Sequence, residues 1–266
     1  MVLNYYPGCT LKNQAADLDH YARVSAEALG ITLAELPQWQ CCGGVYPMAS
    51  DEIATRLSAV RALAGAETGT LVTVCSACHQ VLKRTNQDLK RDETFRDRVN
   101  RYMGAPQPYV GQTRVVHFLE LLRDTVGFDR LKEAVKRPLT GRKIGAYYGC
   151  LLLRPRKDMD MDDPENPRIL EDFLRALGAE PVIYAMRNEC CGGYVTLESR
   201  TQAEAQARKV LDNAAALGAE QLVTACPLCK YNLTRNAHGL PIVYFTQLLA
   251  QALGQSHPDP HQQECT

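Results

Sequence analysis

Charge imbalance and long apolar runs are both missing from this chain. Thirty Lys and Arg residues cancel thirty Asp and Glu residues over 266 positions. No block of basic side chains stands out, so nucleic acid is not an expected partner. No run of about 18 apolar residues occurs, so direct membrane insertion is not expected and any membrane association comes through a partner. The opening MVLNYYPGCT lacks a basic start followed by an apolar stretch, which points to a cytoplasmic protein. The ferredoxin run C-x2-C-x2-C-x3-C is absent. The acidic stretch DMDMDDPEN at 158–166 lacks the spacing and the glycine of an EF-hand, so no calcium site is expected there.

What the chain does have is ordinary globular composition, 45% hydrophobic and 23% charged, with 11 cysteines. In a reducing compartment these are not structural disulfides, and neighbours such as Cys41 and Cys42 are poorly placed to bridge each other. Metal or redox chemistry is the starting expectation.

The chain repeats itself. NYYPGCTLK at 4–12 answers AYYGCLLLR at 146–154, and WQCCGGVY at 39–46 answers NECCGGYV at 188–195. LVTVCSACHQVLKRTN at 71–86 answers LVTACPLCKYNLTRNA at 222–237, and VVHFLELL at 115–122 answers IVYFTQLLA at 242–250. Four blocks in the same order indicate a duplicated domain, not a solenoid. Ten cysteines fall into two sets of five: Cys9, Cys41, Cys42, Cys75 and Cys78, then Cys150, Cys190, Cys191, Cys226 and Cys229. Cys265 is left over in a polar tail, 255–266, expected to be disordered.

Period and punctuation predict an α/β fold of two pseudo-symmetric domains, 1–138 and 139–254, each a small, mainly parallel sheet with helices. VLNYY and KIGAYY read as strands ending in Gly-Cys, ITLAEL and PVIYAM as strands leading to the CC pairs, and TLVTVC and QLVTAC as strands running into CxxC. Helices are expected over 14–29, about 51–64, about 165–177 and 200–217, with Ser50 as an N-cap and Asp51 and Glu52 in the first turn. The cysteines then sit at strand ends, where open α/β sheets build their sites.

Several centres compete for five cysteines. Zinc closes a tetrahedron with four ligands and gives the fifth no role. A [4Fe–4S] cubane also takes four. A thioredoxin-like dithiol accounts for CxxC alone. An iron–sulfur centre that uses all five sulfurs, one of them bridging irons, fits the count best. Gly43, Gly44, Gly192 and Gly193 are candidate cofactor contacts, because glycine lets backbone approach an inorganic core and its N–H can donate to sulfur. Each CxxC opens a helix whose N-terminal dipole favours thiolate.

The order Cys, CCG, CxxC, present twice, resembles the CCG-domain family over nearly the whole chain, and within it the B-type subunits of heterodisulfide reductase. The resemblance implies two noncubane [4Fe–4S] clusters, one on each five-cysteine set. It implies a shared cavity in which a disulfide receives one electron from each side. It further implies two partners from a heterodisulfide reductase complex, a flavin-containing A-type subunit and a ferredoxin-like C-type subunit. Cys41, Cys42, Cys190 and Cys191 become candidate catalytic residues, together with His117 as a proton donor; its counterpart in the second half is Tyr244. His79 either caps or lines the cavity, and Arg154, Arg156 and Lys157 either hold an anionic substrate or form a solvated loop. The competing expectation is an electron-transfer component of a succinate-, fumarate- or quinone-linked complex, with no disulfide substrate of its own.

Overall fold

The short runs VLNY and KIGAY carry β-branched and aromatic side chains that suit a pleated, buried surface, and each seeds the centre of a sheet. The computed structural model describes residues 1–44, 52–66, 69–104, 107–236 and 238–255. The first half runs β1 (Val2–Tyr5), α1 (Cys9–Lys12), α2 (Ala16–Ala28), β2 (Thr32–Glu35), α3 (Glu52–Ala64), β3 (Thr70–Thr73), α4 (Ser76–Arg91), α5 (Glu93–Met103), β4 (Arg114–His117) and α6 (Phe118–Leu121). A π-helical turn (Leu122–Val126) and α7 (Phe128–Ala134) complete it. The second half runs β5 (Lys143–Tyr147), α8 (Arg156–Met159), α9 (Ile169–Ala176), β6 (Glu180–Val182), a 3-10 turn (Ala185–Asn188), α10 (Arg200–Ala216), β7 (Gln221–Thr224), α11 (Pro227–Asn236), β8 (Ile242–Tyr244) and α12 (Phe245–Ala252). Ser50, Asp51 and the tail with Cys265 lie outside the described residues.

Each half is a four-stranded, all-parallel sheet, in the order β2-β1-β3-β4 and β6-β5-β7-β8. Leu71, Val72 and Thr73 of β3 are wholly buried in succession, as expected of a strand covered by helices on both faces. Pro181 sits in β6, an edge strand, where a missing N–H is tolerated. The α/β architecture expected from the repeat is therefore present, twice.

Strand order reverses between β1 and β3, and between β5 and β7. Such a reversal opens a crevice at the carboxyl ends of the strands. Cys9 follows β1 and Cys75 follows β3; Cys150 follows β5 and Cys226 follows β7.

The halves are joined at these same ends. The Ala225 carbonyl accepts from the Ser76 N–H (3.0 Å), the Ser76 hydroxyl (2.8 Å) and the Tyr244 hydroxyl (3.1 Å). Tyr244 also donates to the Val74 carbonyl, at 2.5 Å, the position equivalent to Ala225 in the repeat. At the back, α12 packs on α2, with the Thr246 hydroxyl donating to the Leu18 carbonyl (3.2 Å). One buried core runs from Leu3 and Tyr5 to Phe245 and Leu253, across both halves.

Candidate metal centre

Each set of five thiols is assembled from three strand ends. The loop after β1 or β5 brings the first cysteine, the loop after β2 or β6 brings the CC pair, and the helix after β3 or β7 begins at the CxxC pair. Cys9 Sγ lies 3.3 Å from Cys41 Sγ, Cys42 Sγ lies 3.5 Å from Cys78 Sγ, and Cys191 Sγ lies 3.6 Å from Cys229 Sγ. Further sulfur interactions link Cys41 to Cys42, Cys78 to Cys75, Cys226 to Cys229, Cys191 to Cys190 and Cys190 to Cys150. Cys75 interacts with Cys226 across the two halves.

The ten sulfurs thus form one train: 9, 41, 42, 78, 75, then 226, 229, 191, 190, 150. Its order is palindromic under the repeat. The middle is buried, with Cys75 and Cys226 5% and 2% exposed. Toward the ends Cys41 is exposed, and Cys9, Cys150 and Cys190 are partly so. Among the described residues, no three His, Cys, Asp or Glu side chains converge as ligands of a single ion.

The backbone around the sulfurs is bare. A Cβ on Gly8 would stand 2.8 Å from Cys78 Sγ, and one on Gly149 would stand 3.2 Å from Cys229 Sγ. Gly192 and Gly193 donate their N–H groups to Cys190 Sγ (3.4 Å) and Cys191 Sγ (3.3 Å). Gly43 and Gly44 do the same for Cys41 and Cys42. In each CC pair one sulfur is drawn towards thiolate. Cys42 is lowered by hydrogen bonds from Cys41, from Cys78 and from Gly44 N–H. Cys190 is lowered by Cys150, by Cys191 and by Gly192 N–H. Its neighbour is in each case raised, chiefly by the partner it donates to. A donor set of ten soft sulfurs, peptide N–H groups aimed at them and no Cβ in the way fits an iron–sulfur core.

His117 is fully buried and ends β4 as a cap: its Nδ1 accepts from Leu119 N–H (3.2 Å), and its own N–H donates to Glu120 (2.8 Å). Burial pushes its imidazole down to about 3, so the ring is neutral, and it packs on His79 and Phe245. Tyr244 holds the equivalent cap, with Gln247 in place of Glu120. His79 is also wholly buried; its Nε2 lies 3.3 Å from Glu120 Oε2 without hydrogen-bond alignment. Arg154 spends its guanidinium on the Asn188 and Pro164 carbonyls and on Glu165, organising the acidic loop. Asp162 in that loop caps α9 through the N–H groups of Arg168 and Ile169.

Three residues beside the thiols have little signal in the sequence. Gly8 and Gly149 precede the first cysteine of each set, and their only signal is the Gly-Cys step itself. Tyr194 follows the second CCGG and donates its hydroxyl to the Gly44 carbonyl of the first, at 2.5 Å.

Paired thiol sites at the strand ends of two duplicated parallel sheets define a cysteine-rich α/β protein. Residues 3–83 and 144–234 each match the cysteine-rich domain CCG, and the chain belongs to that family. It is 32% identical to the membrane anchor of the 8-methylmenaquinol:fumarate reductase of Wolinella succinogenes, covering 94% of this chain and 91% of that one. It is 28% identical to the B-type subunit of the ferredoxin:CoB-CoM heterodisulfide reductase of Methanosarcina mazei, covering 97% and 90%. A protein of Archaeoglobus profundus that is itself similar to the heterodisulfide reductase B-type subunits is 27% identical over 93% and 89%. The fold is shared with a crystal structure of a hypothetical protein from Helicobacter pylori, at TM-score 0.73 and 12% identity; 96% of this chain spans 49% of that one. Two of these relatives are named as subunits of reductases. No helix among its described residues is long and apolar enough to cross a membrane.

Proposed function

We propose that this chain is the iron–sulfur subunit of a heterodisulfide-reductase-like complex and that it reduces a disulfide to two thiols. The observation that carries the reading is the palindromic train of ten sulfurs, whose two halves meet at Cys75 and Cys226. Cys9, Cys41, Cys42, Cys75 and Cys78 would hold one noncubane [4Fe–4S] cluster, and Cys150, Cys190, Cys191, Cys226 and Cys229 the other. Bound there, such a group supplies one electron at a time. Breaking one S–S bond to give two thiols takes two electrons and two protons, and two equivalent sites supply the two electrons. The chain's own residues fix the sulfurs through the strand-end loops, hold one thiol of each CC pair towards thiolate and shield the central pair from water. A flavin-containing partner and a ferredoxin-like partner, in the cytoplasm, would feed electrons to the partly exposed ends of the train.

A second reading has its own support. The centre of the train is closed, and the fumarate reductase relative is as fully covered as the heterodisulfide reductases are. In that reading the train is a relay with no disulfide of its own.

Anaerobic purification should yield about eight irons per chain; two zincs and no iron would sink the cofactor assignment. The loaded protein, reduced with a viologen dye, should oxidise the dye when offered members of a panel of disulfides. Full iron with no turnover on any disulfide, but electron exchange with a quinone or a fumarate reductase flavoprotein, would establish the relay.

A further inference from the structure

The two CCGG turns are alike in sequence but are not held alike. In the second half the turn is clamped from within. Asn232, on the CxxC helix α11, donates to the Cys191 carbonyl at 2.7 Å. Its Oδ1 accepts from the Thr196 hydroxyl (2.9 Å) and from Asn236 (2.7 Å), so the clamp is itself fixed. The chain beyond the turn folds back on it, with Val195 N–H donating to the Gly192 carbonyl at 3.0 Å.

In the first half the position equivalent to Asn232 is Val81, which has nothing to donate. Its methyl group only packs near Gly44, 3.6 Å from where a Cβ would stand. The Gly44 carbonyl instead receives the Tyr194 hydroxyl, which comes from the other half of the molecule. The equivalent of Tyr194 in the first half is Val45. The phenol also lies within the field of thiols from both sets: Cys226, Cys150, Cys75 and Cys42 all act on it.

We propose that Tyr194 is a positioning residue for the first cysteine set: a cross-strap from the second half that keeps the Gly44 N–H aimed at Cys42 Sγ, where the first half carries Val81 in place of Asn232. The site that resembles an independent copy is therefore finished by its partner. This rests on the assignment of the two sets as cluster ligands, but the geometry of the turn can be read without any cluster.

The test uses Tyr194→Phe in the full chain, which removes one oxygen and keeps the ring. Two readouts are taken. Amide hydrogen exchange should rise about tenfold over residues 40–44 and stay unchanged over 190–193, since one lost hydrogen bond of ordinary strength corresponds to roughly that factor. Release of iron to a chelator from the loaded protein should show two phases, of which one quickens about tenfold and the other is unmoved. Asn232→Leu should reverse the pattern, loosening 190–193 and leaving 40–44 as they were. Unchanged exchange at 40–44, or an equal rise at both turns, overturns the strap. Anaerobically purified protein that carries no iron and takes none up, yet shows the selective rise in exchange, would keep the strap and overturn the cluster assignment instead. Quickening of both iron phases alike would overturn the claim that Tyr194 serves the first set.

Discussion

Gly8 has φ +81°, a conformation that L side chains rarely adopt, and a Cβ there would meet Cys78 Sγ at 2.8 Å. Gly30 has φ +76° and nothing within 4 Å of an added Cβ. The pair separates backbone strain from crowding at the site. Gly30→Ala should cost about 1–2 kcal/mol, the ordinary penalty of the left-handed region, and leave iron content alone. Gly8→Ala should cost at least as much and also displace Cys78, taking iron from about eight to about four per chain. Urea midpoints and iron analysis of the two variants decide it; equal iron in both would mean that Gly8 serves the turn alone. At this scale the ten cysteines were legible, because a doubled spacing pattern is a strong signal. Gly8 was half legible through its Gly-Cys step. Tyr194 was not, because its partner Gly44 stands 150 residues away and the repeat offers Val45 at the matching place.

Among the elements, β2 and the loop it launches towards Cys41 are fixed by Glu35. Its carboxylate meets Lys12 of α1 (3.1 Å), Arg23 of α2 (2.6 Å) and the Trp39 indole N–H (3.0 Å). Burial works to raise Glu35, but the Trp39 and Lys12 hydrogen bonds and the nearby cations prevail and hold it below the usual carboxylate range. A carboxyl lowered on folding stabilises the native state above its unfolded pKa, about 4.3, and loses that contribution as pH falls through the folded value. Glu35→Gln should therefore unfold at lower urea than the parent at pH 7, and the gap should shrink as pH falls below about 4.3. A gap of the same size at pH 3 and pH 7 would show that shape, not charge, matters there. Most elements followed from period and punctuation. The departures have local causes. Helix begins already at Cys9, not at 14, and pauses where the Asn13 side chain donates to the Cys9 carbonyl. The strand expected over PVIYAM stops at Val182, and the chain turns into a 3-10 segment whose Met186 N–H is taken by Asn213. Both depend on side-chain hydrogen bonds that no periodicity records.

For the molecule as a whole, duplication suggests two domains that fold and bind metal separately, and the packing argues against the first half of that. Helix α12 belongs to the second half by sequence but covers α2 of the first, with Thr246 bonded to Leu18. Phe245 at its start touches His117 and Phe118 of the first half and Phe173 of the second. At the strand ends, Tyr244 ties the Val74 and Ala225 carbonyls, both buried, with one hydroxyl. Unfolding either half alone would strip the apolar face from α2 or α12 and break the hydrogen bonds of Tyr244 and Ser76 across the interface, each worth about 0.5–1.5 kcal/mol net, before any apolar area is counted. The iron-free chain should therefore unfold in one calorimetric transition, with the calorimetric and van't Hoff enthalpies equal. A calorimetric enthalpy near twice the van't Hoff value, or two resolved peaks, would mean that the halves unfold on their own and that the shared core is too weak to couple them.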